Sequence, residues 1–231
     1  MIELVQWDSE NFNVKVGNLI LTDELSEQSL LKAIKQAKDK EYDLLYLKGC
    51  ELQTSWLSDK LLLADQKVVY YQTIKAHPIY HSENVISLLG KPMTKELLQL
   101  SYESGKYSRY HLDRNFSPSV FETLYRLWME RSLSGDIATD VLAYQENGQV
   151  LGMLTYKRNK EEVDVGIVAV NPHVAGKGIG SQLMRDFLSR FNVGTKICVA
   201  TQKCNTVACH YYEKNGFQQK SITNIYHIWL R

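Results

Sequence analysis

Residues 168–180 read Val-Ala-Val-Asn-Pro-His-Val-Ala-Gly-Lys-Gly-Ile-Gly: an apolar run, a proline and three alternate glycines. Glycine lets a backbone approach a ligand with no Cβ in the way. Ile179, Leu183, Phe187 and Phe191 then recur at helical spacing. The amides of Gly176, Lys177, Gly178, Ile179 and Gly180 therefore open a helix, where unsatisfied N–H groups and the helix dipole favour an anion such as a pyrophosphate. A tight strand-to-helix turn without a ligand has the same pattern. Two other phosphate motifs do not fit. Lys177 is followed by Gly178 rather than by Ser or Thr, and the third glycine comes one residue too early for a dinucleotide fingerprint. Lys177 adds a charge contact or is a solvated loop lysine.

A second segment runs from Asn205 to Phe217. Tyr212 lies four residues after Ala208 and shares a helix face with it, and the small alanine leaves room for a cofactor chain to pass. Asn205 precedes the helix as an N-cap, or contacts a ligand. Asn215-Gly216 stands where a left-handed cap would stop the helix.

Several elements position these segments. A strand is expected over 12–22, a helix over 26–40 capped by Ser26, and a strand over 43–47. A helix over 54–63 and a strand over 67–75 complete a β-α-β-α-β pattern. A looser stretch from 76 to 94 holds Pro78, Gly90 and Pro92, with a short strand at 86–89. Residues 95–102 are helical, and 107–116 show no clean period. Pro118 opens a helix whose apolar face is Val120, Phe121, Leu124, Leu127 and Trp128. Strands over 140–146 and 150–157 flank the turn dipeptide Asn147-Gly148. Further strands fall at 163–170, 195–201 and 217–230, and the helix at 206–214 precedes the last. Residues 1–90 are expected to form an N-terminal α/β lobe and 91–231 a second domain.

The 231 residues are 44% hydrophobic and 23% charged with a net charge of +1, which describes an ordinary globular chain and asks for no nucleic-acid partner. No apolar run is long enough for a membrane span and the first residues lack a leader's blocks, so a cytoplasmic location without membrane attachment is expected. Cys50, Cys198, Cys204 and Cys209 form no zinc-spaced set and are expected to be reduced thiols, with no metal site.

The glycine segment resembles motif A of the Gcn5-related N-acetyltransferase (GNAT) superfamily through Val170, Pro172, Gly178, Ile179 and Gly180. Ala175 stands where the family usually has Arg or Gln. The Asn205–Phe217 segment resembles motif B through Asn205, Ala208, Tyr212, Gly216 and Phe217, one helix and one strand later, as the family order requires. The resemblance implies an α/β fold with a splayed mixed central sheet, preceded here by the smaller lobe. It implies acetyl-CoA as acetyl donor, held by Val168, Val170, Ala175, Gly176, Lys177, Gly178, Ile179, Gly180, Asn205 and Tyr212. The strand at 163–170 would splay from 195–201, with free backbone groups on Val168 and Val170 receiving the pantetheine arm. Tyr212 would protonate the departing thiolate, or only pack under the sheet.

Trp7-Asp8-Ser9-Glu10-Asn11-Phe12, Ser108-Arg109-Tyr110 with Asp113 and Phe116, Trp128, Val199-Ala200-Thr201-Gln202 and Tyr226-His227-Ile228-Trp229-Leu230 resemble a narrower group. These are bacterial acetyltransferases of amino-sugar nucleotides, as in dTDP-fucosamine N-acetylation for surface polysaccharides such as O-antigen. The resemblance implies a small-molecule acceptor with a sugar 4-amine, contacted by Tyr110, His111 and Gln202. His111, Asp113 and His227 are candidate bases. Another acceptor (a peptide, polyamine or antibiotic amine) and a non-catalytic acetyl-CoA-binding module remain the alternatives. A homodimer through the tail strands is compatible with this pattern.

Overall fold

The computed structural model describes residues 2–22, 26–49, 51–52, 61–76, 79–160 and 162–231. In chain order the elements are β1 (Glu3–Leu4), α1 (Gln6–Phe12), β2 (Val16–Leu21), α2 (Glu27–Asp39), β3 (Leu44–Gly49), β4 (Leu61–Thr73) and β5 (Val85–Ser87). They continue with α3 (Lys95–Gly105), α4 (Arg109–Leu112), α5 (Pro118–Leu133), β6 (Asp140–Glu146), β7 (Gln149–Arg158) and β8 (Glu162–Val170). A 3-10 turn (Pro172–Val174), α6 (Ile179–Ser189), β9 (Lys196–Gln202), α7 (Thr206–Lys214) and β10 (Gln218–Trp229) complete them.

All ten of these strands join one sheet in the order β1-β2-β3-β10-β4-β9-β8-β7-β6-β5. The pairs β2–β3 and β8–β9 are parallel and the others antiparallel. Parallel neighbours need a crossover, and α2 and α6 supply the two. Strands from both sides of residue 90 share this sheet: β4 lies between β10 and β9, and β5 borders β6.

Strand alternation divides the core between two faces. On one face α1, α3 and α5 bury Phe12, Leu97, Phe121 and Met129 against Tyr46, Val141 and Met153. On the other, α6 and α7 bury Leu183, Phe187 and Tyr212 against Val68, Tyr70, Val165 and Val199. Leu30 and Ala37 of α2 cover Leu45, Leu47 and Ile228 on that same side.

Several expected elements differ in the fold. Most of the helix expected over 54–63 lies outside the described residues, and 61–63 open β4 instead. Leu61-Leu62-Leu63 is apolar at every position and carries no period to separate helix from strand. The strand expected from residue 12 begins at Val16, because 6–12 form α1, a single short helix whose N-cap, Val5, offers no capping side chain. Residues 109–112, without a period of their own, form the one-turn helix α4. Ser26 does cap α2, its hydroxyl accepting from the Ser29 amide at 3.2 Å. Among the described residues no helix is long and apolar enough to cross a membrane.

Candidate functional site

β8 and β9 pair in register from Glu162↔Lys196 to Val165↔Val199, and there the ladder ends. β8 continues to Val170 and β9 to Gln202, so the strands part beyond Val165. The cause is local. Opposite Thr155 the β7–β8 register slips. Thr155 Oγ1 accepts the Ile167 amide at 2.8 Å, and it stands 2.6 Å from where a Cβ on Gly166 would be. Such a bulge bends its strand. The Ile167 and Asn171 amides both point toward β7, the latter to Leu151 O at 2.8 Å. By alternation the N–H and C=O of Val168 and Val170 point into the gap.

The glycine turn ends this gap. Gly176 and Gly178 have φ of 83° and 80°, a region that side chains disfavour. A Cβ on either would meet nothing within 4 Å, so conformation alone requires glycine there. The first return bond of α6 runs from Gln182 N to Gly178 O at 3.0 Å. The amides of Ile179, Gly180 and Ser181 are left without an intrahelical partner. Gly180 is glycine for a different reason: its Cβ would lie 3.2 Å from the Tyr211 ring. Asn171 Oδ1 accepts from the His173 amide at 3.0 Å and holds the preceding turn.

α7 supplies the opposite wall. Asn205 caps it, Oδ1 accepting from the Ala208 amide at 3.1 Å. The cap leaves its amide nitrogen for a ligand, so the two readings of Asn205 are compatible. Tyr212 is 5% exposed, and burial pushes its phenol well above the usual range. Its hydroxyl has no hydrogen-bond partner among the described residues. The turn, the gap and α7 enclose a cavity of about 440 Å³. Val168, Val170, Ala175, Gly176, Gly178, Ile179 and Gly180 line one side of it, and Asn205, Ala208 and Tyr212 the other. Lys177 is exposed beside the turn and is not in its wall.

The sequence did not point to the third wall. Glu103, Ser104, Lys106 and Tyr107 close the cavity from the end of α3. That helix runs to Gly105, beyond the expected 102. Its last turn shows no chemistry in the sequence, because tertiary packing alone aims it at the gap.

Tyr110, His111 and Gln202 do not line this cavity. Tyr110 donates to Asp8 Oδ2 at 3.1 Å beneath the Arg109 guanidinium. His111 packs its ring 4.6 Å from that of Phe121. Gln202 ends β9 opposite Lys67. Asp113 and His227 are bound to each other: His227 Nδ1 donates to Asp113 Oδ2 at 2.6 Å, and both side chains are fully buried. Burial opposes ionisation of Asp113, but bonds from His227, Trp229 and Asn115 outweigh it and hold its carboxyl at about 2. Burial lowers the His227 pKa against the pull of Asp113. Trp128 packs against the core and stacks on Tyr125.

Residues 138–219, from β6 through α7 to the start of β10, match the family model of an acetyltransferase (GNAT) domain. Over that stretch the chain is similar to a GNAT acetyltransferase domain. GNAT acetyltransferases take acetyl-CoA as acetyl donor. Spore coat polysaccharide biosynthesis protein SpsD of Bacillus subtilis (strain 168) is 28% identical over 146 residues, 61% of this chain and 50% of that protein. The chain thus spans about half the length of that relative. Among solved structures, a functionally unknown conserved protein from Staphylococcus epidermidis ATCC 12228 is similar with a TM-score of 0.65 at 13% identity, covering 94% of this chain and 84% of the other. A GCN5-related N-acetyltransferase from Sphaerobacter thermophilus gives 0.56 at 14% identity, covering 94% and 73%. At these identities the likeness concerns the fold, and the mixed sheet is that of GNAT structures.

Proposed function

We propose that this chain transfers the acetyl group of acetyl-CoA to the 4-amine of a nucleotide-linked amino-deoxy sugar, a surface-polysaccharide precursor. One observation carries the transferase: a single cavity contains unpaired helix amides, the free main-chain groups of a splayed strand and a buried phenol. The diphosphate of coenzyme A suits the amides of Gly178, Ile179 and Gly180. Its pantetheine amides suit Val168 and Val170, as a peptide suits a sheet edge. A backbone N–H in the gap would polarise the thioester carbonyl. The amine attacks that carbonyl carbon, the C–S bond breaks, and Tyr212 protonates the sulfur. Ala175 removes a side chain from the usual motif but no main-chain donor.

The acceptor rests on different support. The resemblance to amino-sugar nucleotide acetyltransferases covers Trp7–Phe12, Ser108–Tyr110 and Tyr226–Leu230, and the name of SpsD refers to polysaccharide biosynthesis. Calorimetry with acetyl-CoA tests the donor, and thiol release tests the acceptor, using dTDP-4-amino-4,6-dideoxygalactose beside spermidine, a lysine peptide and an aminoglycoside. Failure to take up acetyl-CoA removes the transferase. Release with spermidine alone keeps the transferase and replaces the sugar.

A further inference from the structure

We infer that the acceptor amine docks on the face of the sheet opposite α7 and that Asp65 takes its proton. This inference rests on the acetyltransferase reading above. Asp65 lies on β4 opposite Ile225, and Lys67, two residues on, pairs with Gln202 at the end of β9. β9 is the strand that parts from β8, so Asp65 stands at the wide end of the gap. Alternation puts Asp65 and Lys67 on the opposite face from Val68 and Tyr70, which pack with Tyr212. α4 covers Asp65's side of β4. The acid and the base therefore approach the gap from opposite sides of one sheet.

The carboxylate is incompletely paired. Asp65 Oδ1 is buried without a hydrogen-bond partner among the described residues. A buried acceptor left in this state is costly, and folds seldom retain one without a use for it. Arg109, the cation of α4, does not pair with it. Its guanidinium lies 4.8 Å from the Tyr46 ring and 4.3 Å from the Tyr110 ring, and donates to Tyr110 Oη at 2.5 Å. Arg109 Nε is also buried without a partner among the described residues. One acceptor and one charged donor thus remain available on the face where the gap opens. Burial raises the Asp65 carboxyl to about 6, against the pull of Arg109 and Lys67, which suits a base working near neutrality. Of the other candidate bases, Asp113 accepts from His227 Nδ1, and His227, whose Nε2 has no partner among the described residues, is fully buried, whereas Asp65 is partly exposed.

The proton count closes. Asp65 takes one proton from the acceptor ammonium, and the neutral amine attacks the thioester carbon. The C–S bond breaks and the sulfur takes the Tyr212 proton. The second nitrogen proton restores Tyr212 as the amide forms, and Asp65 releases its proton to solvent. The groups facing Asp65 are Arg109 of α4, Tyr125 of α5, Lys67 of its own strand and Cys204 after β9. None of these four is a carboxylate or an imidazole, so an acid limb near pH 6 that disappears in Asp65→Asn belongs to Asp65.

The test compares kcat/KM against pH for the full chain and Asp65→Asn, with acetyl-CoA and dTDP-4-amino-4,6-dideoxygalactose, and measures acetyl-CoA affinity for both. The expected result is a loss of about 100-fold in Asp65→Asn, disappearance of the acid limb, and an acetyl-CoA Kd within about twofold of wild type. Asp65→Glu recovers part of the rate. Titration of the amine itself is common to both proteins and cancels in the comparison. An Asp65→Asn protein with wild-type rate and limb overturns the assignment. So does one that has lost acetyl-CoA binding, since Asp65 would then be structural. A wild-type chain that binds acetyl-CoA but leaves this sugar untouched overturns the proposed acceptor together with the inference.

Discussion

Tyr211 of α7 donates its phenolic hydrogen to the main-chain oxygen of Gly180, in the first turn of α6, across 2.7 Å. The bond joins the two helices whose beginnings form the cavity, and Gly180 is small so that the ring can reach it. A Cβ there would sit 3.2 Å from Cε2 of the ring and 3.5 Å from Val170 Cγ2. Gly180→Ala is expected to displace Tyr211 and weaken acetyl-CoA binding about tenfold, or ~1.4 kcal/mol. Calorimetry measures this directly, and an unchanged Kd would show that the ring position is irrelevant to the ligand.

Gly178→Ala should behave differently. The added methyl meets open space, but φ stays at 80°. The expected cost is about 1 kcal/mol of backbone strain, a fall in Tm of roughly 2–4 °C. A scan with and without acetyl-CoA reads it, and equal Tm values for mutant and wild type would mean the turn has relaxed.

Tyr212→Phe removes a hydroxyl with no protein partner among the described residues, so stability should barely change while kcat falls about 100-fold. Burial keeps the wild-type phenol protonated past its ordinary value near 10. No alkaline loss of rate traceable to Tyr212 is expected below about pH 10. A limb near pH 8 that vanishes in Tyr212→Phe would contradict that state of the phenol.

Asp113→Ala leaves His227 and Trp229 without their shared acceptor, and a loss of about 3 kcal/mol in urea unfolding is expected. The Asp113 pKa is depressed from about 3.9 in the unfolded chain to about 2 in the fold. Its contribution is present above the unfolded value and disappears as pH falls through about 2. The stability curve of Asp113→Ala should therefore be flatter between about pH 4 and 2, and parallel curves would refute the shift.

The parts of the site that depend on local backbone chemistry were legible in the sequence. Gly176 and Gly178 need positive φ, Asn205 caps α7, and Ile179, Leu183 and Phe187 repeat along α6. The resemblance to GNAT motifs added the parting of β8 from β9, which the ladder bears out at Val165↔Val199. Features set by distant partners were hidden. Nothing around Asp65 marks it as half-buried with an oxygen unpaired among the described residues, because that depends on α4 arriving over β4 and on Arg109 turning to Tyr46 and Tyr110. His111 has the side chain of a base, yet its position on α4 turns the ring toward Phe121. The helix expected over 54–63 gives way at its end to β4 because Leu61 and Leu62 find partners in Ile228 and His227, far along the chain.

β10 lies between β3 and β4, pairing Tyr226 with Leu47 on one side and Leu63 on the other. Those two strands are synthesised early, yet neither has the other as neighbour. During translation both must wait with bare edges until every other element described here has left the ribosome. Such long-range closure predicts slow folding that cannot finish before β10 has been made, and a nascent chain that depends on protection from self-association.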